Sequence, residues 1–235
     1  MPPRSKKLVW SEPVIVIGEG IDNWSRKYRT LTCCIAGVGE KSGWIRLYPM
    51  FPSSVQPFDI VQVAVRDEHP ERIRPESRKV HVSVPPKRIK RIADEKEKIR
   101  LLEKHLNQGG FLHNDSWNGV KTLGLIKPIY PEFEIDKGAK DIKVKFQCNS
   151  LRCLGHRCEV HDAFKSDRVG RKRLRASLNK IEPKLVNLQR NHLLGRNQLW
   201  FVVGTIYYHP QRWIVVEILI QEGHKIERLR RLLEA

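Results

Sequence analysis

Between Phe146 and Asp162 the chain reads FQCNSLRCLGHRCEVHD, and Cys148, Cys153, His156, Cys158 and His161 within it form the pattern C-x4-C-x2-H-x-C-x2-H. Three of the chain's five cysteines fall there. A tetrahedral zinc site takes four sulfur or nitrogen ligands, and this run offers one more than that. Short spacings let a tight loop turn its side chains onto one ion, and Gly155 supplies the permissive backbone such a knuckle uses. Cys148, Cys153 and His156 are the favoured ligands, with the fourth drawn from Cys158 or His161. Paired thiolates with imidazole select Zn2+, and three local cysteines are too few for an iron–sulfur cluster. A closed set of four makes the ion structural. A catalytic ion would keep a position open for water and find a base in Glu159 or Asp162.

Charge is the second signal. Forty-four Lys and Arg against 26 Asp and Glu give a formal net charge of +18 over 235 residues. An excess of that size, interleaved with strand-like and helix-like segments rather than confined to a tail, points to a polyanionic partner. The N-terminal run WSRKYRTLTCCIAGVGEKSGWIRLYP mixes Trp24, Tyr28, Trp44 and Tyr48 with Arg26, Lys27, Arg29 and Arg46, the planar and cationic groups that grip single-stranded nucleic acid. The same alternation arises when a hairpin buries its aromatics and exposes its charges. RIRPESRK adds Arg72, Arg74, Arg78 and Lys79 around Glu76, a lone acid whose ordinary role is ion pairing. Lys143, Lys145, Arg152, Arg157 and Lys165 make the cysteine run itself a phosphate-facing element, and Arg171, Lys172, Arg173 and Arg175 continue the positive field. No apolar run is long enough to span a bilayer, and the N-terminus lacks the apolar centre of a secretory signal, so a cytoplasmic protein with reduced thiols is expected.

The elements that must position these groups follow from periodicity. VIVIGEG, from Val14, reads as a short buried strand. GVGEKSG is a turn between an apolar strand at 31–38 and the alternating WIRLY, which makes a hairpin. FDIVQVAVRDE and KVHVSVPPKRIKRI both show period two. DEKEKIRLLEKHLNQGG has acids at its start, an Ile99, Leu102 and Leu106 stripe and a Gly109-Gly110 stop, which predicts a helix of about four turns. TLGLIKPIYPEFEI is extended, with Pro128 and Pro131 confining it to an edge or irregular strand. Leu174, Leu178, Ile181, Leu185 and Leu188 recur at helical spacing with Lys and Arg between them and Pro183 inside, so one basic helix kinks there or two meet. LWFVVGTIYYHPQRWIVVEILI reads as two core strands turning at His209-Pro210-Gln211, and HKIERLRRLLEA as a terminal helix.

The blocks KYRTL, GWIRLYP, RPESRK, TLGLIKP, FQC followed by C-x2-H, and FVVGT followed by HP resemble the successive motifs of an uncharacterised prokaryotic family found in archaeal and bacterial genomes. The resemblance implies that Cys148, Cys153 and His156 are a shared metal-binding core. It also implies that Lys27, Tyr28, Arg46, Arg74, Glu76 and Ser77 lie at a common surface, and it supplies no activity. Similar proteins carry a Trp soon after the aspartate that follows the cysteines, where this chain has Ala163 and Phe164.

The fold expected is α+β: a β-rich half that forms a small barrel or twisted sheet, then a zinc knuckle and basic amphipathic helices. Residues 1–92 form the β-rich basic and aromatic region, and 93–235 hold the helices, the knuckle and a C-terminal β-hairpin; one continuous domain remains open. The function expected is a zinc-stabilised nucleic-acid-binding protein, for structured RNA or the ribosome, with candidate contacts at Lys27, Tyr28, Arg29, Arg46, Arg74, Arg78, Lys145, Arg152, Arg157, Arg171, Lys172, Arg173 and Arg175. The alternative is a DNA-directed nuclease or accessory factor in defence or repair. Against it, the chain has no paired-carboxylate nuclease motif, Walker loop or nucleophile elbow.

Overall fold

The computed structural model of the chain describes residues 8–20, 23–66, 74–107, 120–136, 141–148, 158–163, 184–206, 209–222 and 225–228. In chain order they form β1 (Val9–Trp10), β2 (Val14–Glu19), β3 (Asn23–Ser25), β4 (Thr30–Gly39), β5 (Gly43–Met50), β6 (Asp59–Gln62), β7 (Ala64–Val65), β8 (Ser77–Lys79) and β9 (Lys87–Arg91). Helix α1 (Glu95–Lys104) follows, then β10 (Leu123–Ile126), β11 (Pro128–Asp136), β12 (Asp141–Cys148) and β13 (Cys158–Ala163). A second helix, α2, covers 184–193. The described chain closes with β14 (Asn197–Ile206), β15 (His209–Glu222) and β16 (Lys225–Arg228). The protein is β-rich, and no helix among the described residues is long and apolar enough to cross a membrane.

The first sheet runs β8-β5-β4-β2-β6-β9, with β3 paired to β4, and curls into a half-barrel. Strand side chains alternate between faces, and in the central strands β2, β4 and β5 both faces are buried. Val14 and Val16 of β2, Ile35 of β4 and Ile45 and Leu47 of β5 fill the inside of the curl with Val55, Val61 and Val63. Ile17, Ala36, Val38 and Trp44 point the other way, onto a core shared with Leu123, Leu125, Trp200, Val202, Leu219 and Ile226 from the second sheet and Leu102 of α1. That second sheet is antiparallel, in the order β10-β14-β15-β16. At Gly18 the two sheets approach so closely that a Cβ would stand 2.8 Å from the Glu217 Cβ, so only glycine fits without a shift. A third sheet, β11-β12-β13, meets the second where the Phe146 and Phe201 rings pack edge to face at 5.1 Å.

Several expectations are met and several are corrected. The β4–β5 hairpin closes Gly39 against Gly43, whose φ of 65° suits glycine. Asp94 caps α1 by accepting the Glu97 amide at 2.7 Å. The helix stops at His105, short of the glycine pair, because the Asn107 amide donates to Leu125 O and the Leu125 amide to Asn107 Oδ1, drawing the chain onto β10. Pro128 and Pro131 both fall in β11, an edge strand of the third sheet whose register shifts between Ile129 and Glu132. His209 pairs with Ile206 and 209–222 is continuous strand, so the turn falls earlier than His209-Pro210-Gln211. The terminal segment begins as β16 rather than as a helix, because Ile226 is buried in the core and 225–228 pair with β15. Of the leucine stripe, Leu185 and Leu188 are buried on α2, while Leu174, Leu178 and Ile181 lie outside the described residues.

Glu12 clasps the β4–β5 turn: its carboxylate accepts the Lys41 amide at 2.8 Å and the Ser42 amide at 3.0 Å. Burial works to raise the Glu12 carboxyl, but the bonds from Ser42 and Lys41 together outweigh it and hold it below the ordinary value of 4.5. A depressed folded value means the clasp stabilises above the unfolded pKa and is lost as pH falls through the folded one. Glu12→Gln should therefore lower the melting temperature by a few degrees at neutral pH, an effect of about 1 kcal/mol. In thermal melts the difference from wild type should shrink as the pH falls below the ordinary carboxylate range.

Candidate nucleic-acid interface

Two classes of cation emerge once the sheets are in place. The first is internal. Arg46 shares a face of β5 with Trp44 and so points at the second sheet; it is 5 % exposed. Its Nη2 donates to Thr122 O and Thr122 Oγ1, each at 2.9 Å, and lies 3.3 Å from Glu76 Oε1. Thr122 Oγ1 also donates to that Glu76 oxygen. Arg74 is buried too and donates to Thr205 O at 2.6 Å, and the Thr205 amide donates to Thr122 O at 3.0 Å. Arg46, Arg74 and Glu76 thus stitch the half-barrel to β10 and β14. The expectation of Arg46 and Arg74 as polyanion contacts is corrected, because their guanidinium groups lie inside the core. Arg78 is spent locally, donating to Pro75 O and Ser77 O at 2.9 Å each. Ser77 is buried.

The second class stays in solvent. In the β3–β4 hairpin, Arg26, Lys27 and Arg29 are exposed, and Trp24 is 64 % exposed beside them. Arg29 holds a left-handed backbone, φ 51°, closing the turn. Tyr28 Oη accepts from Arg66 Nη2 at 3.1 Å, the Arg66 amide donates to Lys79 O, and the Val80 amide donates to Tyr48 O. This strip therefore runs from the hairpin tip to the exposed ring of Tyr48 on β5. Trp44 and Tyr48 part company: the first goes into the core, the second to the surface.

A stronger basic feature was not singled out from sequence. Strand β9, KRIKR, is an edge of the first sheet, paired among the described residues only with β6, and all five of its residues are exposed. Lys87, Arg88, Lys90 and Arg91 form a cationic rail beside Ile89, with the Lys87 Nζ 3.9 Å from the centre of the Trp10 ring. Charged side chains also keep an edge strand from pairing with another chain, yet one lysine suffices for that. The signal in the sequence was PPKRIKRI, a proline pair ahead of four cations in five residues.

Little of the cysteine run is described. Cys148 ends β12 and Cys158 begins β13; Phe146 pairs with Cys158, so the two strand ends that carry Cys148 and Cys158 lie side by side. His161 falls within β13. The side chains of these three and of Lys145, and all of Cys153, His156, Arg152, Arg157, Arg171, Lys172, Arg173 and Arg175, lie outside the described residues.

Residues 11–106 match a domain of unknown function, DUF8758. That span takes in β2 to α1, hence the β3–β4 hairpin, the rail and the Arg46 and Glu76 pair, but not Thr122. The resemblance to an uncharacterised family holds for the DUF8758 span. Among curated proteins, none matches the chain.

The buried pair makes a stability prediction. Glu76→Gln leaves the Arg46 charge uncompensated and should cost about 3 kcal/mol, whereas replacing both with apolar residues should cost less than the two single changes summed. Urea unfolding of the two singles and of Arg46→Met with Glu76→Leu measures this. Additive losses would show that the two groups do not act as a pair.

Proposed function

We propose that the protein is a zinc-stabilised, strongly basic nucleic-acid-binding protein of the cytoplasm whose partner is structured RNA or the ribosome. The β9 rail carries the reading: four cations held on an exposed strand edge track a phosphate backbone without the entropy cost of ordering a loop. The exposed rings of Trp24, in the hairpin that carries Lys27 and Arg29, and of Tyr48 supply stacking surfaces for unpaired bases, which favours RNA with loops or bulges over duplex DNA. Glu76 favours binding over cleavage at the RPESRK segment: it is 7 % exposed and occupied by Arg46 and Thr122, out of reach of a phosphodiester.

In the finer reading, the β12 and β13 ends carry a zinc knuckle of Cys148, Cys153 and His156 with Cys158 or His161, and the segment from Arg171 to Arg175 leads a basic helix toward α2. The pairing of Phe146 with Cys158 supports it, since two of the thiols then belong to adjacent strand ends. Zinc there would lock the hairpin and hold Arg152 and Arg157 toward the same polymer. One zinc per chain is expected by elemental analysis of protein purified without added metal. Cys153→Ser should lose hydrogen-exchange protection in β12 and β13 before the DUF8758 span does.

Affinity for a structured RNA should fall steeply with KCl, by a log–log slope of roughly 0.7 to 0.9 per phosphate contact. Replacing Lys87, Arg88, Lys90 and Arg91 by Gln should flatten that slope by about three to four contacts' worth, and because Arg88 and Arg91 hold the buried Asp59 carboxylate it should also lower the melting temperature. Fluorescence anisotropy across a salt series tests this. A slope unchanged by the four substitutions would remove β9 from the interface.

A further inference from the structure

Beside the rail, the loop at 53–56 and β9 enclose a groove of about 260 Å³. It is smaller than the roughly 300–1,000 Å³ of sites that take drug-sized ligands, a size that suits a single small group such as a phosphate. Asp59 lies at its base with a nearly buried side chain, and both carboxylate oxygens are engaged. Oδ1 accepts from Arg88 and stands 3.8 Å from Arg91 Nε, and Oδ2 accepts the Gln56 amide at 2.9 Å. Two guanidinium groups against one carboxylate leave the groove with an excess positive charge. Both guanidinium groups keep a solvent-facing side: the side chains of Arg88 and Arg91 are 54 % and 41 % exposed.

The opposite wall is fixed as well. The buried Glu19 carboxylate accepts the Ser53 amide at 3.0 Å, and the Ser54 amide donates to Phe51 O at 3.2 Å. Ser53 holds a left-handed backbone, φ 59°, and both serines are exposed at the groove. Two guanidinium groups held on one carboxylate, in a small cleft that exposed serines also line, suit a tetrahedral oxyanion, because each fork is set in place before the ligand arrives.

We propose that this groove is a discrete site for one phosphate group, bound by Arg88 and Arg91 with the Ser53 and Ser54 hydroxyls. That the phosphate belongs to a bound polymer rests on the nucleic-acid reading; the site itself does not. Two-dimensional NMR of the full chain, titrated with sodium phosphate, AMP or adenosine at constant ionic strength, tests it. Phosphate and AMP should shift the Ser54 and Gln56 amides and the Arg88 and Arg91 Nε signals, whereas adenosine should not. Arg91→Gln, the gentler change because Arg91 is the more distant partner of Asp59, should weaken phosphate about tenfold, the loss of one charge-assisted hydrogen bond, with the rest of the spectrum unchanged.

RNA oligonucleotides with a 5′-phosphate or a 5′-hydroxyl separate the two sources. Tighter binding of the phosphorylated form, abolished in Arg91→Gln, assigns the groove to a chain end. Equal binding, displaced by free phosphate, assigns it to an internal diester. Absence of phosphate-dependent shifts, or the same affinity in Arg91→Gln, overturns the site whether or not RNA binds. Phosphate shifts without any RNA affinity leave the site standing and remove its polymer.

Discussion

The contact on which the architecture turns is the buried cluster of Arg46, Glu76 and Thr122. It lies where the outer face of the half-barrel meets the second sheet, so two charges sit among apolar residues such as Trp44, Leu123 and Leu125. Taking such charges from water is costly, and their attraction offsets the cost only when geometry and further hydrogen bonds are good. Thr122 supplies those bonds through its carbonyl and its hydroxyl. Arg46 Nε and Glu76 Oε2 have no bond among the described residues, so the cluster specifies how the sheets dock more than it adds net stability. The DUF8758 span, residues 11–106, stops short of Thr122, so the span's own buried arginine is satisfied by a residue beyond it.

This docking decides what remains for a partner. Arginines in the middle of the first sheet are consumed by the interface, while those at its rim and in its hairpins stay in water. The excess charge of the chain, +18, is therefore read differently at different places: Arg46 and Arg74 are structural, while Lys87, Arg88, Lys90, Arg91 and the cations of the 26–29 turn stay in solvent. Asp59 shows the same economy on a smaller scale, because one buried carboxylate holds two arginines with their outer sides exposed.

Local chemistry was legible where it was locally determined. The glycines of GVGEKSG fixed a hairpin, Asp94 fixed a helix start, and Pro128 and Pro131 marked an edge strand, since each acts on backbone within a few residues of itself. Arg46 was not legible, because alternation gives the face a side chain takes but not whether a second sheet covers that face. The openness of β9 depends on strand order, and KRIKR reads alike in the middle or at the rim. The segment HKIERL suits helix or strand by composition; pairing with β15 and burial of Ile226 decided it. Where Glu76 would find its partner was hidden for the same reason: its neighbours in sequence are arginines, but the one it meets, Arg46, is 30 positions away.

The central proposal is that an exposed edge strand and an aromatic hairpin each contact RNA. Ultraviolet crosslinking of the protein to structured RNA, followed by mass spectrometry of the crosslinked peptides, tests it most directly. The account predicts crosslinks in the peptides that carry Trp24 and Tyr28 and in those that span 87–91. Crosslinks confined to other segments, or none at low salt where electrostatic binding is strongest, would contradict it.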